Sequence, residues 1–332
     1  MKPADTTPCW DGNDPAAITR AATLLRDGGL VALPTETVYG LGANAADDQA
    51  VARIFAAKGR PADHPLIIHL AEAKQMTDWA REIPDSAWKL AEHFWPGPLT
   101  LILKRRPGVA EAASGGLETI GLRVPGHPVA LALLRALGGG LAAPSANRFG
   151  RISPTCADHV LSELSGRIDA VIDGGPCEVG LESTILDLSG PHAQVLRPGR
   201  ITAGELAAVI RPVLSQGTAA APVVPGSLEA HYAPDTPITL VASTALEAET
   251  VRRTGQGKVV VLARRPINMA VDCHWLQLPS EAKAYGHALY ARLREADALR
   301  ASSLLIEAPP ATPEWEAVND RLRRSAAGSA KP

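Results

Sequence analysis

Apolar residues along this chain alternate between short unbroken runs and stripes of helical period. The run LVAL at 30–33, set between Gly28-Gly29 and Pro34, reads as a strand buried on both faces. A polar turn, Thr35-Glu36-Thr37, follows. Next comes a helix that Asp47 or Asp48 can cap, with Val51, Ile54 and Phe55 as its buried i, i+3, i+4 stripe. Lys58 continues that stripe at i+7, Gly59 ends the helix, and Pro61 prevents its resumption. A second apolar run, 66–70, encloses His69. The pattern predicts strand, turn, helix, strand, with two cations, Lys58 and Arg60, at the helix end.

The same punctuation continues along the chain. Asn13 or Asp14 can cap a helix that has Pro15 at its first position and Ile18, Ala21, Ala22 and Leu25 inward. Helices are predicted at 84–94 and 127–137. Strands are predicted at 99–103, at 119–124 (delivering Arg123), at 141–144 (ending in Ser145-Ala146-Asn147), at 168–173 and at 183–188, and 195–196 leads to Arg197. Strands alternating with helices indicate an α/β domain over 1–211. Residues 212–236 are rich in Pro, Ala, Gly and Ser and read as a linker, although His231-Tyr232 is unusual in a pure spacer. From 237 to 332 a smaller α/β pattern appears, with strands at 238–241, 258–263 and 304–307. A helix at 282–299 turns Ala288, Leu289 and Leu293 inward, and a frayed tail is expected from Gly328.

Composition narrows the classes. The 332 residues are 46% hydrophobic and 20% charged, enough apolar material for two cores. A net charge of -2 argues against a broad nucleic-acid surface. Four cysteines lack CxxC pairing or zinc spacing and read as reduced thiols of a cytoplasmic protein. No signal peptide or membrane span is expected.

Candidate chemistry gathers where predicted strands and helices end. Arg123 and Arg197 each follow an apolar strand, Lys58 and Arg60 close a helix, and Ser145, Asn147, Ser183 and Thr184 stand at strand termini. Four cations with small hydroxyls suit a phosphorylated ligand. Each residue alone also fits an ordinary part: Lys58 a lysine lying along its helix C-terminus, His69 a satisfied core histidine. There is no GxxxxGK[ST] loop, GLGANA lacks the third glycine of GxGxxG, and without GxSxG Ser145 is not placed as a hydrolase nucleophile.

Ten motifs, PTETVYGLGANA, KGRP, HPLIIHL, WPGPLT, GLRVPGHP, AAPSAN, ISPT, GLESTILDL, LRPG and HYAP, occur in the order of the YrdC-like threonylcarbamoyl-AMP synthase family, and the chain resembles the long two-domain form of that family. His64 replaces a usual Asn and Ser227 a usual Met. The resemblance implies a twisted, open, mixed sheet with helices, followed by a smaller Rossmann-like α/β domain. It implies that L-threonine, bicarbonate or CO2, and ATP carrying magnesium are combined into threonylcarbamoyl-AMP and pyrophosphate. Separate transfer proteins would then modify tRNAs reading ANN codons. By the same resemblance Lys58 and Arg60 are catalytic and face the triphosphate. Thr35, His69, Arg123 and Ser183 hold threonine. Thr119, Ser145, Asn147, Ser153, Arg197 and Tyr232 lie near the nucleotide, Tyr232 on a lid formed by the linker.

Two other classes stand beside this reading. One is an RNA-binding module on the same fold, for which Lys104-Arg105-Arg106 and the run at 321–324 are thin support and the 4% aromatic content is low. The other is a carbamoyl-phosphate-using maturation factor, against which the missing CxxC pairs count. Direct binding of tRNA is left open.

Overall fold

The structure is a computed structural model that describes residues 6–214, 222–266 and 270–329. It divides into two compact units. One comprises 1–149, 154–178 and 182–227; the other comprises 150–153, 179–181 and 228–332.

The first unit is built on one mixed sheet. Its strands in chain order are β1 (Cys9–Asp11), β2 (Val31–Leu33), β3 (Gly40–Asn44), β4 (Ile67–His69), β5 (Leu99–Lys104), β6 (Thr119–Arg123), β7 (Leu141–Ala142), β8 (Ala170–Asp173), β9 (Thr184–Asp187), β10 (Ala193–Arg197) and β11 (Val213–Leu214). The order across the sheet is β1-β8-β2-β3-β7-β4-β6-β5-β9-β10-β11. Parallel pairs such as β4–β6 and β5–β9 sit beside antiparallel ones such as β2–β3 and β5–β6. The predicted mixed α/β sheet is present.

Local chemistry explains the elements near the predicted site. Asp14 caps helix Pro15–Arg26, and Asp47 caps helix Asp48–Lys58 by accepting from Gln49 N and Ala50 N. Gly59 closes the latter helix at φ 63°, a left-handed position that suits glycine. One element of the central stretch has no counterpart in the sequence reading: residues 40–44, between the polar turn and the helix, form β3, antiparallel to β2. Glycine is needed there because a Cβ on Gly42 would stand 2.9 Å from Leu141 Cδ2 and 3.1 Å from the Val31 carbonyl.

The second unit carries β12 (Ile238–Val241), β13 (Val259–Ala263), β14 (His274–Gln277) and β15 (Ser303–Glu307) in a wholly parallel sheet of order β12-β15-β13-β14. Helices Leu246–Thr254, Ala282–Ala298 and Glu316–Ser329 complete it. In the middle helix Leu289 and Leu293 are buried as expected, whereas Tyr285 and Tyr290 take the inward places and Ala288 is only half-buried. The tail expected to fray from Gly328 is helical to Ser329; 330–332, and 215–221 of the predicted linker, lie outside the described residues. No described helix is long and apolar enough to cross a membrane.

Candidate active site

The turn after β2 organises the site. Thr35 Oγ1 donates to the Val38 carbonyl at 2.6 Å and accepts from the Thr37 and Val38 amides, so its side chain replaces backbone partners inside a buried turn. Thr37 Oγ1 lies 2.8 Å from Thr35 Oγ1 and accepts from Arg123 Nη1 at 3.0 Å. Arg123 also donates through Nε to the Gly97 carbonyl, and its Nη2 stands 2.7 Å from Glu36 Oε1. That approach is close but misaligned, and neither Glu36 carboxylate oxygen has a hydrogen-bond donor. His69 pairs in register with Arg123 across β4 and β6. Burial, and then the Arg123 charge, push the His69 pKa down to about 3, so the ring is neutral, and its Nδ1 has no hydrogen-bond partner.

The WPGPLT loop joins this group to the next one. Gly97 N donates to the Val124 carbonyl, and Thr184 N donates to the Pro98 carbonyl. Ser183 Oγ is 2.8 Å from Thr100 Oγ1 and accepts from Arg197 Nη2 at 3.1 Å. Arg197 also donates to the Ser183 carbonyl through Nε and Nη2 and to the Pro225 carbonyl through Nη1. It is a buried brace for the segments entering β9 and preceding Ser227.

The other end of the turn leads to the cations. Gly40 bridges to Ser145, and Ala146 N donates to the Tyr39 carbonyl. Lys58, 3% exposed, donates through Nζ to the carbonyls of Ser145 at 2.6 Å and Asn147 at 2.5 Å. Burial and then the Arg60 charge press its pKa well below the usual lysine value, while the Glu163 charge works the other way. Arg60 donates to the Pro65 carbonyl, and its guanidinium lies 5.8 Å from the Phe149 ring centroid. Thr119 opens β6 two residues before Gly121, the partner of Ile67, so register sets it level with Pro65 and four residues from Arg123.

The structure therefore brings Thr35, His69 and Arg123 together, Ser183 with Arg197, and Lys58, Arg60, Ser145 and Asn147 at the far end of one six-residue turn. Ser153 and Tyr232 belong to the second unit. There Tyr232 is buried at φ 60°, its ring 5.8 Å from that of Tyr290 and 5.4 Å from the Arg321 guanidinium, and its carbonyl accepts from Ser325 Oγ. Sequence reasoning left Glu36 unassigned and missed Thr37, Thr100 and the Gly97 carbonyl. The TET and WPGPLT motifs contained them, but alternation along a strand says nothing about a turn folded back on its neighbours. The four cysteines are free thiols, and burial raises the Cys177 pKa, leaving it inert beside the turn.

A mixed sheet with buried arginine, lysine and hydroxyl clusters around one turn defines a ligand-binding α/β domain, and comparisons with known proteins identify its kind. Residues 23–199 match the Sua5/YciO/YrdC family, described as telomere recombination, and residues 201–327 match the threonylcarbamoyl-AMP synthase C-terminal domain. Threonylcarbamoyl-AMP synthase of Bacillus subtilis is 39% identical over 98% of this chain and 96% of its own. That of Schizosaccharomyces pombe is 32% identical over 94% and 88%. The crystal structure of P. abyssi Sua5 complexed with L-threonine aligns at TM-score 0.90 and 37% identity, covering 97% of this chain and 98% of that one. The chain belongs to the Sua5/YciO/YrdC family, in its long form with the C-terminal domain.

Proposed function

We propose that this protein is an L-threonylcarbamoyladenylate synthase, a nucleotidyltransferase that makes threonylcarbamoyl-AMP and pyrophosphate from L-threonine, bicarbonate or CO2, and ATP. The carrying observation is the match to synthases over the whole chain, both units included. The site is consistent with that chemistry. The threonine amine captures CO2 as a carbamate, a carbamate oxygen attacks the α-phosphorus, and the bond to pyrophosphate breaks. Such a transfer depends on positioning and on neutralising charge. Arg123 offers a guanidinium for the amino-acid carboxylate, with Thr35, His69 and Ser183 around it. Lys58 and Arg60 supply positive charge for phosphates, and Thr119, Ser145, Asn147, Ser153, Arg197 and Tyr232 are assigned to the nucleotide.

Among the described residues no group of three His, Cys, Asp or Glu side chains could hold a metal ion. Magnesium is read, from the family resemblance, as arriving on the ATP phosphates, as part of the substrate. The product passes to tRNA threonylcarbamoyl-transfer proteins for tRNAs reading ANN codons, a destination that suits a cytoplasmic enzyme. The test is pyrophosphate release with each substrate omitted in turn. Release should require ATP, threonine and bicarbonate together; release unchanged without threonine overturns the reading.

A further inference from the structure

The four-stranded sheet of the second unit has a reversal in its winding. From β12 the chain passes beyond the place of β15 to β13, continues to β14, and then returns to β15 between β12 and β13. Right-handed crossovers in opposite directions put helix Leu246–Thr254 and helix Ala282–Ala298 on opposite faces. Between such strands a crevice opens at the carboxyl edge, the place where open parallel sheets take ligands.

Polar side chains from four connections converge at that edge. Ser243 follows β12, Arg264 and Arg265 follow β13 directly, Glu307 ends β15, and Tyr285 lies in the first turn of the helix after β14. Glu307 is fully engaged: Oε1 accepts from Ser243 Oγ at 2.7 Å and Arg264 Nη2 at 3.2 Å, and Oε2 accepts from the Arg264 amide at 2.7 Å. Glu247 is engaged by Arg265 Nη1 at 2.7 Å. The donors are the incomplete side. Arg264 Nε, Arg265 Nε and Tyr285 Oη are all buried without a hydrogen-bond partner. Tyr285 has no exposed surface at all. Trp315 ties these groups together, its ring 5.2 Å from that of Tyr285 and 5.7 Å from the Arg264 guanidinium. Burial raises the Tyr285 pKa, so the phenol stays protonated and keeps a hydroxyl proton to donate.

Three buried donors lack an acceptor, and the two nearby carboxylates are already held by Ser243, Arg264 and Arg265. Arg264 can admit one. Its side chain is 22% exposed, and its guanidinium is fastened through Nη2, to Glu307 and weakly to the Ala308 carbonyl at 3.4 Å. The helix at Ala282–Ala298 starts at the same edge, with no side-chain cap on its first-turn amides. We propose that this crevice binds the phosphate group of a small molecule, with Arg264, Arg265 and Tyr285 as donors. A phosphate has enough oxygens to take several donors approaching from different elements, whereas a carboxylate has two. None of these three residues is among those assigned to synthesis.

The test uses the full chain and inorganic phosphate, with acetate at equal ionic strength as the carboxylate arm. Hydrogen exchange should slow with phosphate in peptides covering 241–247 and 280–290, and acetate should leave them unchanged. Tyr285→Phe and Arg264→Gln should each weaken phosphate binding by about 10-fold, the worth of one hydrogen bond to a charged group. Tyr285→Phe should keep pyrophosphate release at saturating substrates unchanged. If the hydroxyl is merely an unpartnered core group, Tyr285→Phe raises the melting temperature and leaves the phosphate Kd where it was. That result, equal protection by acetate, or no protection by phosphate overturns the proposal.

Discussion

Arg123 and Glu36 form an ion pair at 2.7 Å in which both side chains are more than nine-tenths buried. Removing one partner of such a pair leaves the other charge without compensation in a medium of low polarity. Arg123→Ala should therefore destabilise the fold by about 3–5 kcal/mol, beyond any loss of threonine binding. The double variant Arg123→Ala/Glu36→Ala should cost less than the two single variants summed, because it leaves no stranded charge. Denaturant unfolding of the four proteins measures the coupling; additive losses would show that the pair interacts weakly.

His69 links stability to pH. Its pKa is about 3 in the fold and about 6.5 in the unfolded chain, so between those values the unfolded state binds the extra proton. Its contribution is fully present above pH 6.5 and is lost as pH falls towards 3, at up to about 1.4 kcal/mol per pH unit. Urea unfolding at pH 7, 6, 5 and 4 should show that slope, and His69→Asn should flatten it. A slope unchanged by the substitution assigns the pH dependence to other groups.

Lys58 and Arg60 should separate into different roles. Lys58 clamps the Ser145 and Asn147 carbonyls, so Lys58→Ala should lower both activity and melting temperature. Arg60 is half-buried, and Arg60→Ala should lower pyrophosphate release by about 10- to 150-fold, the worth of a charge-assisted bond, with a much smaller thermal shift. Steady-state kinetics beside thermal melts distinguish the two; a full-rate Arg60→Ala makes Arg60 an ordinary helix-end charge.

Tyr232 has become a stability residue as well as a candidate for the nucleotide. Tyr232→Ala should destabilise the second unit by about 3–5 kcal/mol through loss of its buried ring. Tyr232→Phe keeps the ring and tests the hydroxyl alone. If Tyr232→Phe loses activity at unchanged melting temperature, the hydroxyl acts in synthesis; full activity confines Tyr232 to packing.

What was legible in the sequence follows the physics of each signal. The helix at Asp48–Lys58 was readable because a capping aspartate, a three-residue stripe and a terminal glycine all agree. Strands β4 and β5 were readable as apolar runs, and β6 as a short alternating run before Pro125. Strand β3 was not, because its glycines serve close packing and look like a loop. The last helix, Glu316–Ser329, was also missed: beside Ala317, Val318 and Leu322 it buries Asp320, Arg321 and Ser325, so polar residues break up its apolar stripe. The candidate site was legible as residue types at element ends. Its pairings were not, since Arg123 meets Thr37 and Glu36 across some 86 positions of chain.

The strand order of the first unit also constrains how the chain is made. Strand β8 lies between β1 and β2, and β9 completes β5 from more than 80 residues downstream. A nascent chain that has emerged only as far as β7 holds β1, β2 and β5 with unpaired edges, the condition under which strands mispair or recruit other chains. The sheet can close only when residues to about 214 have left the ribosome, so synthesis carries a long interval of exposed strand edges during which chaperone binding would shield them.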